Sequence, residues 1–286
     1  MSLAIDMKGR RETGGRIPVL IAGAVVLAVV LIAAFAPWIA PYDPFAQDLM
    51  HLNKGPGAAH LLGTDQIGRD VFSRLVMGAR QTLEVGVGGT LIAFLIGGAL
   101  GLVGMALGRA GELAVFAFID LVRAVPGILL ALLIIVAVGE GTGPVTFALG
   151  VSFAPFFAYV ARATYKREAA QDYVRVAGLF GGGRMHVLRL HIVPNVLGSL
   201  TTQAAIILPR CIVTESVLSF LGLGSSPDAP TWGRMISDGS RYMEVAPHAI
   251  LAPVFALIAL TVSLLILGDA LRERFDPLRH GAAGDR

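Results

Sequence analysis

Six long apolar stretches with few charged residues dominate the sequence. They cover residues 17–39, 85–108, 113–138, 141–161, 196–220 and 245–268. A helix that spans a bilayer needs about 20 mainly apolar residues, and each stretch is long enough. Charged residues make up only 15% of the chain, whereas soluble domains carry about 25%. We therefore predict an all-α membrane protein with six transmembrane helices.

The basic residues predict the orientation of these helices. Six spans place both termini on the same side of the membrane. If that side is the cytoplasm, the inner segments 1–16, 109–112, 162–195 and 269–286 hold fifteen Lys and Arg residues, and the outer segments hold six. Cytoplasmic loops carry the excess of Lys and Arg, so the tails 1–16 and 269–286 are predicted to be cytoplasmic. The run 17–39 exceeds the roughly 7–15-residue core of a signal peptide and predicts a retained first span.

The long segment 40–84 is predicted to lie outside the cell membrane. Its first part is rich in proline, and a helical pattern begins near Thr64 or Asp65, either of which could cap a helix. We expect an interfacial helix whose arginines lie at the level of the lipid headgroups; these are Arg69, Arg74 and Arg80. Trp232, in the outer segment 221–244, is expected at the membrane interface.

The stretch 85–108 is rich in glycine. Gly97, Gly101 and Gly104 are small enough to let helix backbones approach closely, which favours helix packing in lipid. A hinge is the alternative interpretation of the same glycines.

Residues 175–194, called the 175–194 segment below, form a basic island between two spans. It contains three arginines and two histidines and no acidic residue. Gly181 interrupts its first helical turn, and a short amphipathic piece with Met185, Val187 and Leu188 follows before Pro194. This pattern predicts a helix–turn–helix that lies beneath the membrane and is available to a soluble partner.

Motifs for catalysis are absent from the sequence. None of the three lysines follows a glycine, so there is no phosphate-binding Gly-Lys-Ser/Thr, and neither HExxH nor GxSxG occurs. Cys211 is the only cysteine, and the histidines have no ligand-like spacing to acids. We expect neither an enzyme nor a bound metal or cofactor. The arginines are not interleaved with stacking aromatic residues, which argues against nucleic acid as a partner.

Four charged residues fall inside predicted spans, where such groups are costly. Asp120 and Arg123 are three residues apart on one helix face, and we expect an ion pair. Arg210 follows Pro209, and Glu215 stands five residues later. We hypothesise that Arg210 and Glu215 line a transport pathway; contact with neighbouring helices alone is the alternative.

The 175–194 segment resembles the cytoplasmic loop of ABC importer permeases in the dipeptide/oligopeptide/nickel group. That loop reads roughly E-A-A, three residues, Gly, nine residues and I-x-L-P. Arg175-Val176-Ala177, Gly181 and His191-Ile192-Val193-Pro194 have this spacing, with Arg175, Val176 and His191 as departures. Glu168-Ala169-Ala170 has the letters of the motif but no glycine or proline at the required distances.

Three further passages resemble the same group in the same order along the chain. They are Gly63-Thr64-Asp65 with Gly68-Arg69-Asp70, Leu218–Gly224 with Thr231-Trp232-Gly233, and Gly268–Arg272 with Asp276-Pro277. The resemblance implies a type I importer permease in the bacterial inner membrane, with a second homologous permease (a heterodimer), two ABC ATPase subunits that use ATP and an external substrate-binding protein. It also implies that the 175–194 segment couples to the ATPase, through the residues Arg175, Val176, Ala177, Gly181, Arg184, Met185, Val187, Leu188, His191 and Pro194.

Two other classes of membrane protein remain as alternatives at this point. An ion-coupled secondary transporter would show inverted repeats and midplane carboxylates, and Glu215 is the only acid deep in a predicted span. A passive scaffold would leave the 175–194 segment without a purpose. The resemblance covers peptides, metal ions and other small solutes, so the substrate is not determined by it.

Overall fold

The computed structural model describes residues 6–179, 183–224 and 228–275. Within these ranges the regular structure is helical, and Thr64 and Asp70 form an isolated β-bridge. The α-helices are α1 (Asp6–Ala34), α2 (Ala36–Ile39), α3 (Val71–Ala106), α4 (Gly108–Arg123), α5 (Gly127–Val138), α6 (Thr142–Ala169), α7 (Asp172–Leu179), α8 (Arg184–Val187), α9 (Val193–Phe220), α10 (Trp232–Ser240) and α11 (Pro247–Phe275), and a π-helical turn (Leu188–Ile192) lies between α8 and α9.

The predicted helical membrane fold is confirmed. In the described part of the chain, five helices are long and apolar enough to cross a membrane, and α4 and α5 together would make a sixth. This pair replaces the straight span predicted at 113–138, because the chain bends by 87° between the two helices. Pro126 has extended backbone angles and Gly127 begins α5. A proline also disfavours helix at the residue before it, which explains the break.

Helix α3 is continuous from Val71 to Ala106 and includes the region predicted as a separate interfacial helix. Its cap is Asp70, whose Oδ2 accepts from the Ser73 N–H at 2.7 Å, and not Thr64 or Asp65. An Asp at this position satisfies a backbone N–H that has no partner within the helix. The interfacial helix and the membrane span predicted from residue 85 are therefore parts of one continuous helix.

The chain divides into two compact units. The first comprises the described residues up to Glu84, Ser219–Gly222 and the described residues from 228 onward. In this unit α11 packs against both α1 and α10. Trp232 is buried at the start of α10, where its indole N–H donates to the Leu75 carbonyl at 2.9 Å. Trp232 therefore packs within the protein, and its place at the level of the membrane interface stays a prediction.

The first unit also holds a buried ion cluster. Arg69 and Arg74 are 5% and 1% exposed, so their predicted place among lipid headgroups is wrong. Arg69 Nε lies 2.7 Å from Asp65 Oδ2, and its Nη2 lies 3.1 Å from Asp238 Oδ2. Arg74 approaches both carboxylates at 3.7 Å. Buried guanidinium groups need such partners because an unpaired buried charge is strongly unfavourable.

The 40–70 loop of the first unit is fastened by hydrogen bonds to its own backbone. Thr64 Oγ1 accepts from the Lys54 N–H at 2.9 Å, and Asp65 Oδ1 accepts from the N–H groups of Ile67 and Arg69 at 3.0 Å each. Gly68 has a φ of +81°, and an added Cβ would lie 1.9 Å from the Asp48 carbonyl oxygen. Only glycine fits there.

The second unit comprises Val85–Leu218 and the described residues after Gly222 up to 224. Its core contains Phe157, Ile192 and Leu200. Gly97 and Gly101 of α3 face α6: an added Cβ would lie 2.1 Å from the Ala154 carbonyl oxygen and 2.6 Å from the Ala161 Cβ, respectively. Close helix packing at these glycines, predicted from the sequence, is confirmed.

Candidate functional site

The 175–194 segment joins the long helices α6 and α9 through short helical pieces. Helix α7 contains its first residues, and α8 and the π-helical turn lead without interruption into α9. Two helical pieces thus lie where the sequence predicts them. Gly181, the predicted turn, lies outside the described residues, and so do the side chains of Arg175, Ala177 and Arg184.

The π-helical turn lets the helix pass Pro194 without a break. Proline lacks an N–H and crowds the carbonyl four residues before it. Here the Val193 N–H bonds to the Leu188 carbonyl, five residues earlier, which widens the helix locally. Asn195 Nδ2 donates to the His191 carbonyl at 2.7 Å. Pro194 was predicted to start a new helix, but the helical backbone already runs from Arg184, because the wider turn accommodates the proline.

Tyr173 connects this segment to the end of α6. Its hydroxyl donates to Glu168 Oε2 at 2.6 Å, and its ring meets the His191 ring edge-on with 5.7 Å between the centroids. Glu168 is 8% exposed, and its Oε1 accepts from Arg167 Nε at 3.1 Å. The hydrogen bond to Glu168 raises the pKa of Tyr173, with a smaller contribution from burial. One tyrosine therefore contacts both α6 and the π-helical turn.

Several apolar side chains of the segment face outward. Met185 is 58% exposed and Leu190 is 60% exposed. Val187 and Leu188 are half-buried and pack against the core around Ile192. Of the three apolar contacts predicted for a partner, Met185 is the one that lies fully on the surface. Met185 and Leu190 are therefore accessible on the outer surface of the segment.

Glu168 and Tyr173 are the residues that the sequence-based interpretation missed. Glu168 begins the out-of-register Glu-Ala-Ala triplet and was set aside for its spacing. The available signal was the spacing itself: an acid at the end of one helix and a tyrosine five residues later, at the start of the next. A turn between them brings the two side chains together.

Arg210 and Glu215 lie in different environments on α9. Arg210 is exposed on the surface of the chain, whereas Glu215 is fully buried. Ser216 Oγ is 3.3 Å from Glu215 Oε2. Five residues correspond to about 140° around an α-helix at 3.6 residues per turn, so the two side chains do not share a face. A pathway role for Arg210 and Glu215 stays a prediction.

Asp120 and Arg123 of α4 both contact Tyr159 of α6. Asp120 accepts a hydrogen bond from the Tyr159 hydroxyl, and the Arg123 guanidinium lies 4.8 Å from the centre of the Tyr159 ring. These contacts replace the predicted Asp120–Arg123 ion pair. Nearby, Glu112 Oε1 lies 2.6 Å from Lys166 Nζ and accepts from Arg162 Nε at 2.7 Å. Polar contacts therefore join α4 to α6, the helix on which Tyr173 is anchored.

Two family models match the chain. The model described as "Binding-protein-dependent transport system inner membrane component" matches residues 89–280. The model described as "N-terminal TM domain of oligopeptide transport permease C" matches residues 18–56. The first match includes the whole 175–194 segment.

Curated relatives are similar over most of their length. A glutathione transport system permease protein GsiD from Pectobacterium atrosepticum is 34% identical, over 90% of this chain and 85% of that protein. A di/tripeptide transport system permease protein DppC from Pseudomonas aeruginosa is also 34% identical, over 90% of this chain and 87% of that protein.

Solved structures share the fold at low sequence identity. A chain of an amino acid ABC transporter crystallised with histidines aligns with a TM-score of 0.55 at 16% identity, over 70% of this chain and 92% of that chain. A chain of the MetNI methionine ABC transporter, in an inward-facing conformation, aligns with a TM-score of 0.56 at 21% identity, over 70% of this chain and 95% of that chain.

Proposed function

The chain belongs to the family of binding-protein-dependent transport system inner membrane components, and from this premise we propose that its 175–194 segment couples its helices to the ATPases of an importer. Membership of the family makes the chain the permease subunit of an ATP-driven importer and not an enzyme. It also displaces the ion-coupled secondary transporter as an alternative. The permease works with ATPase subunits and a substrate-binding protein.

The observation that supports the coupling role is the way the segment is held. Met185 and Leu190 are exposed on its outer surface. On its inner side, Val187 and Leu188 pack against the core, and Tyr173 donates a hydrogen bond to Glu168. Because α8 continues into α9, a force on the exposed side chains passes into a spanning helix. ATP is used by the partner subunits, and this chain contributes the contact and the pathway.

Photo-crosslinking from two matched positions tests the coupling role. Met185 and Met243 are 58% and 57% exposed, but only Met185 lies in the 175–194 segment. With a photoreactive residue at 185, we expect the ATPase to be captured in membranes that hold the assembled importer. The same residue at 243, in the predicted outer segment, should not capture it. Capture from 243 and not from 185 would contradict both the coupling site and the cytoplasmic position of the termini.

A functional variant completes this test. Gly181→Asp places a charged side chain at the predicted turn, and we expect ATP hydrolysis to continue while uptake is lost. Membrane insertion, followed by the amount of protein in the membrane fraction, should be unchanged. Normal uptake by this variant would show that the turn is not the coupling element.

We further propose that the chain forms half of a pathway for short peptides or similar small solutes, with a second, homologous permease as the other half. The names of the relatives support this class, since they refer to glutathione and to di- and tripeptides. Uptake of radiolabelled dialanine and glutathione, with the cognate binding protein present, tests the class directly. Equal uptake with and without that protein would overturn the proposal.

A further inference from the structure

The first unit contains an open polar cavity of about 450 Å³, called the Arg234 pocket below. A cavity of this size lies within the roughly 300–1,000 Å³ range of small-molecule sites. Its polar lining comes from α10, the residues just after α10, and the 40–70 loop. The polar side chains include Gln66, Arg234, Ser237, Asp238, Arg241 and Tyr242.

The buried ion cluster gives this pocket a positive bias. Asp238 Oδ1 lies 3.2 Å from Arg234 Nε, and Asp238 Oδ2 is shared by Arg69 at 3.1 Å and Arg74 at 3.7 Å. In the described part of this cluster, the carboxylates of Asp65 and Asp238 therefore face three guanidinium groups. Asp228, which acts on Arg74 electrostatically, is exposed, so water and salt screen it more strongly.

The positive charge that is accessible to a ligand lies on the arginines that line the pocket. Arg69 and Arg74 lie behind Asp238 and are nearly inaccessible, with side chains 6% and 2% exposed. Arg234 is 29% exposed and Arg241 is exposed, and both line the cavity. A guanidinium group is suited to bind a carboxylate through paired N–H donors. Hydroxyl and amide groups from Ser237, Tyr242 and Gln66 complete a polar lining.

We propose that the Arg234 pocket binds the terminal carboxylate of a short peptide solute, with Arg234 and Arg241 as its charge partners. The inference rests on the proposed function, which supplies peptides as the solute class. Both arginines lie in the segment 221–244, on the side where a binding protein would release its solute. The pocket would thus act as a receiving site before the solute enters the pathway.

Equilibrium binding of radiolabelled dialanine tests this site. The full-length chain is used with its partner subunits in lipid nanodiscs, without ATP and without the binding protein. We expect saturable binding, with unlabelled dialanine competing at least about tenfold better than dialanine amide, since only the free carboxylate forms charge-assisted hydrogen bonds with the arginines; tenfold corresponds to about 1.4 kcal/mol. Equal competition by the amide, or no saturable binding, overturns the proposal.

Three arginine variants locate the site. Arg234→Gln should weaken binding about tenfold. The more exposed Arg241→Gln should weaken it about threefold, because its charge is better screened. Arg80→Gln removes an exposed arginine of the same unit that does not line the pocket and should leave binding unchanged. An Arg80→Gln effect equal to that of Arg241→Gln would overturn the assignment.

Two controls keep the result specific. Arg234→Gln could disturb the ion cluster, so the melting temperature of each variant is measured, and Arg241→Gln serves where Arg234→Gln is unstable. Association of the binding protein with each variant is measured as well. If Arg241→Gln weakens that association but leaves dialanine binding unchanged, Arg241 binds a carboxylate of the binding protein and the solute site is overturned. None of these readouts uses the 175–194 segment, so failure here is distinct from failure of ATPase coupling. Dialanine that is taken up with the binding protein but does not bind here would overturn this site alone, whereas absence of dialanine uptake would count against the proposed solute class.

Discussion

The 40–70 loop and the 175–194 segment differ both in their regular structure and in the number of contacts that hold them. The loop has little regular structure, yet its side chains bond to its own backbone, Asp65 forms a buried ion pair with Arg69, and Asp70 contacts a ring nitrogen of His60. The 175–194 segment is largely helical within its described residues, and it is fastened mainly through Tyr173 and a few half-buried residues. Regular structure is therefore a poor guide to how firmly a segment is held. A segment that must move with a partner can have few fixed contacts, whereas an irregular loop needs many to keep one shape.

The largest effect should come from the ion cluster beside the loop. Asp65→Ala leaves Arg69 and Arg74 buried with only part of their carboxylate partners, and breaking such a pair costs about 3–5 kcal/mol. Thermal unfolding in detergent measures the loss. Asp43→Ala is the matched control, because Asp43 is exposed. Equal losses from the two variants would mean that the buried cluster does not hold the loop.

A smaller loss is expected from the backbone of the same loop. Gly68→Ala forces a Cβ into the Asp48 carbonyl at a positive φ, and we expect about 1–3 kcal/mol of destabilisation. Gly57→Ala is the control, since the nearest atom to its added Cβ is 4.0 Å away. The melting temperatures of the two variants should differ clearly; similar values would argue against a tightly fixed loop.

On the other side of the comparison, Tyr173→Phe removes one hydrogen bond and keeps the ring contact with His191. A typical hydrogen bond contributes about 1 kcal/mol, so local opening of α7 should increase about fivefold. Hydrogen exchange of the α7 amides measures this change, with global melting nearly unaffected. Glu168→Gln, which retains an acceptor oxygen, should have a weaker effect. Unchanged exchange in Tyr173→Phe would show that α7 is held by other contacts.

The smallest effect concerns an exposed pair in the loop and depends on pH. His51 Nδ1 lies 2.8 Å from Asp48 Oδ2, and this contact, followed by the Met50 N–H, lowers the pKa of Asp48 from 3.8. A lowered pKa in the folded state stabilises the protein above the ordinary Asp pKa, and the contribution is lost as pH falls through the lowered value. Near neutral pH, the melting temperature of Asp48→Asn should therefore be slightly lower than that of the unaltered chain. The difference in melting temperature should vanish at strongly acidic pH. A difference that grows on acidification would show that the Asp48 carboxylate does not stabilise the folded state.

The sequence was sufficient for the main helices because apolar length is a local property. The stretches at 141–161 and 245–268 coincide with α6 and α11 except for one and two residues at their starts, since a run of apolar residues must be buried in lipid or protein wherever it lies. The same criterion did not show that the helix before residue 85 is continuous with the span, and it missed the bend at Pro126. The first turns of α3 are helical although their polar residues lower the mean hydropathy. At Pro126 a single proline breaks the helix without changing the mean hydropathy of a long window.

The candidate site was only partly predictable. The spacing from Arg175 to Pro194 located the segment, but Tyr173 and Glu168 stand outside that pattern. Pro194 was expected to begin a helix, whereas a π-helical turn carries the helix past it. Whether a side chain of the segment faces out, as Met185 does, or inward, as Leu188 does, depends on packing against α6 and α9.

The sequence by itself determined that the chain is a helical membrane protein and gave the motif order that its family match supports. Both follow from local composition and spacing. The tertiary structure alone decided which charges are buried and with what they pair. Arg69 and Asp238 are 169 residues apart in the chain and 3.1 Å apart in space. No local pattern encodes such a pair, because the two groups meet only in the folded chain, where their attraction offsets the cost of removing both from water.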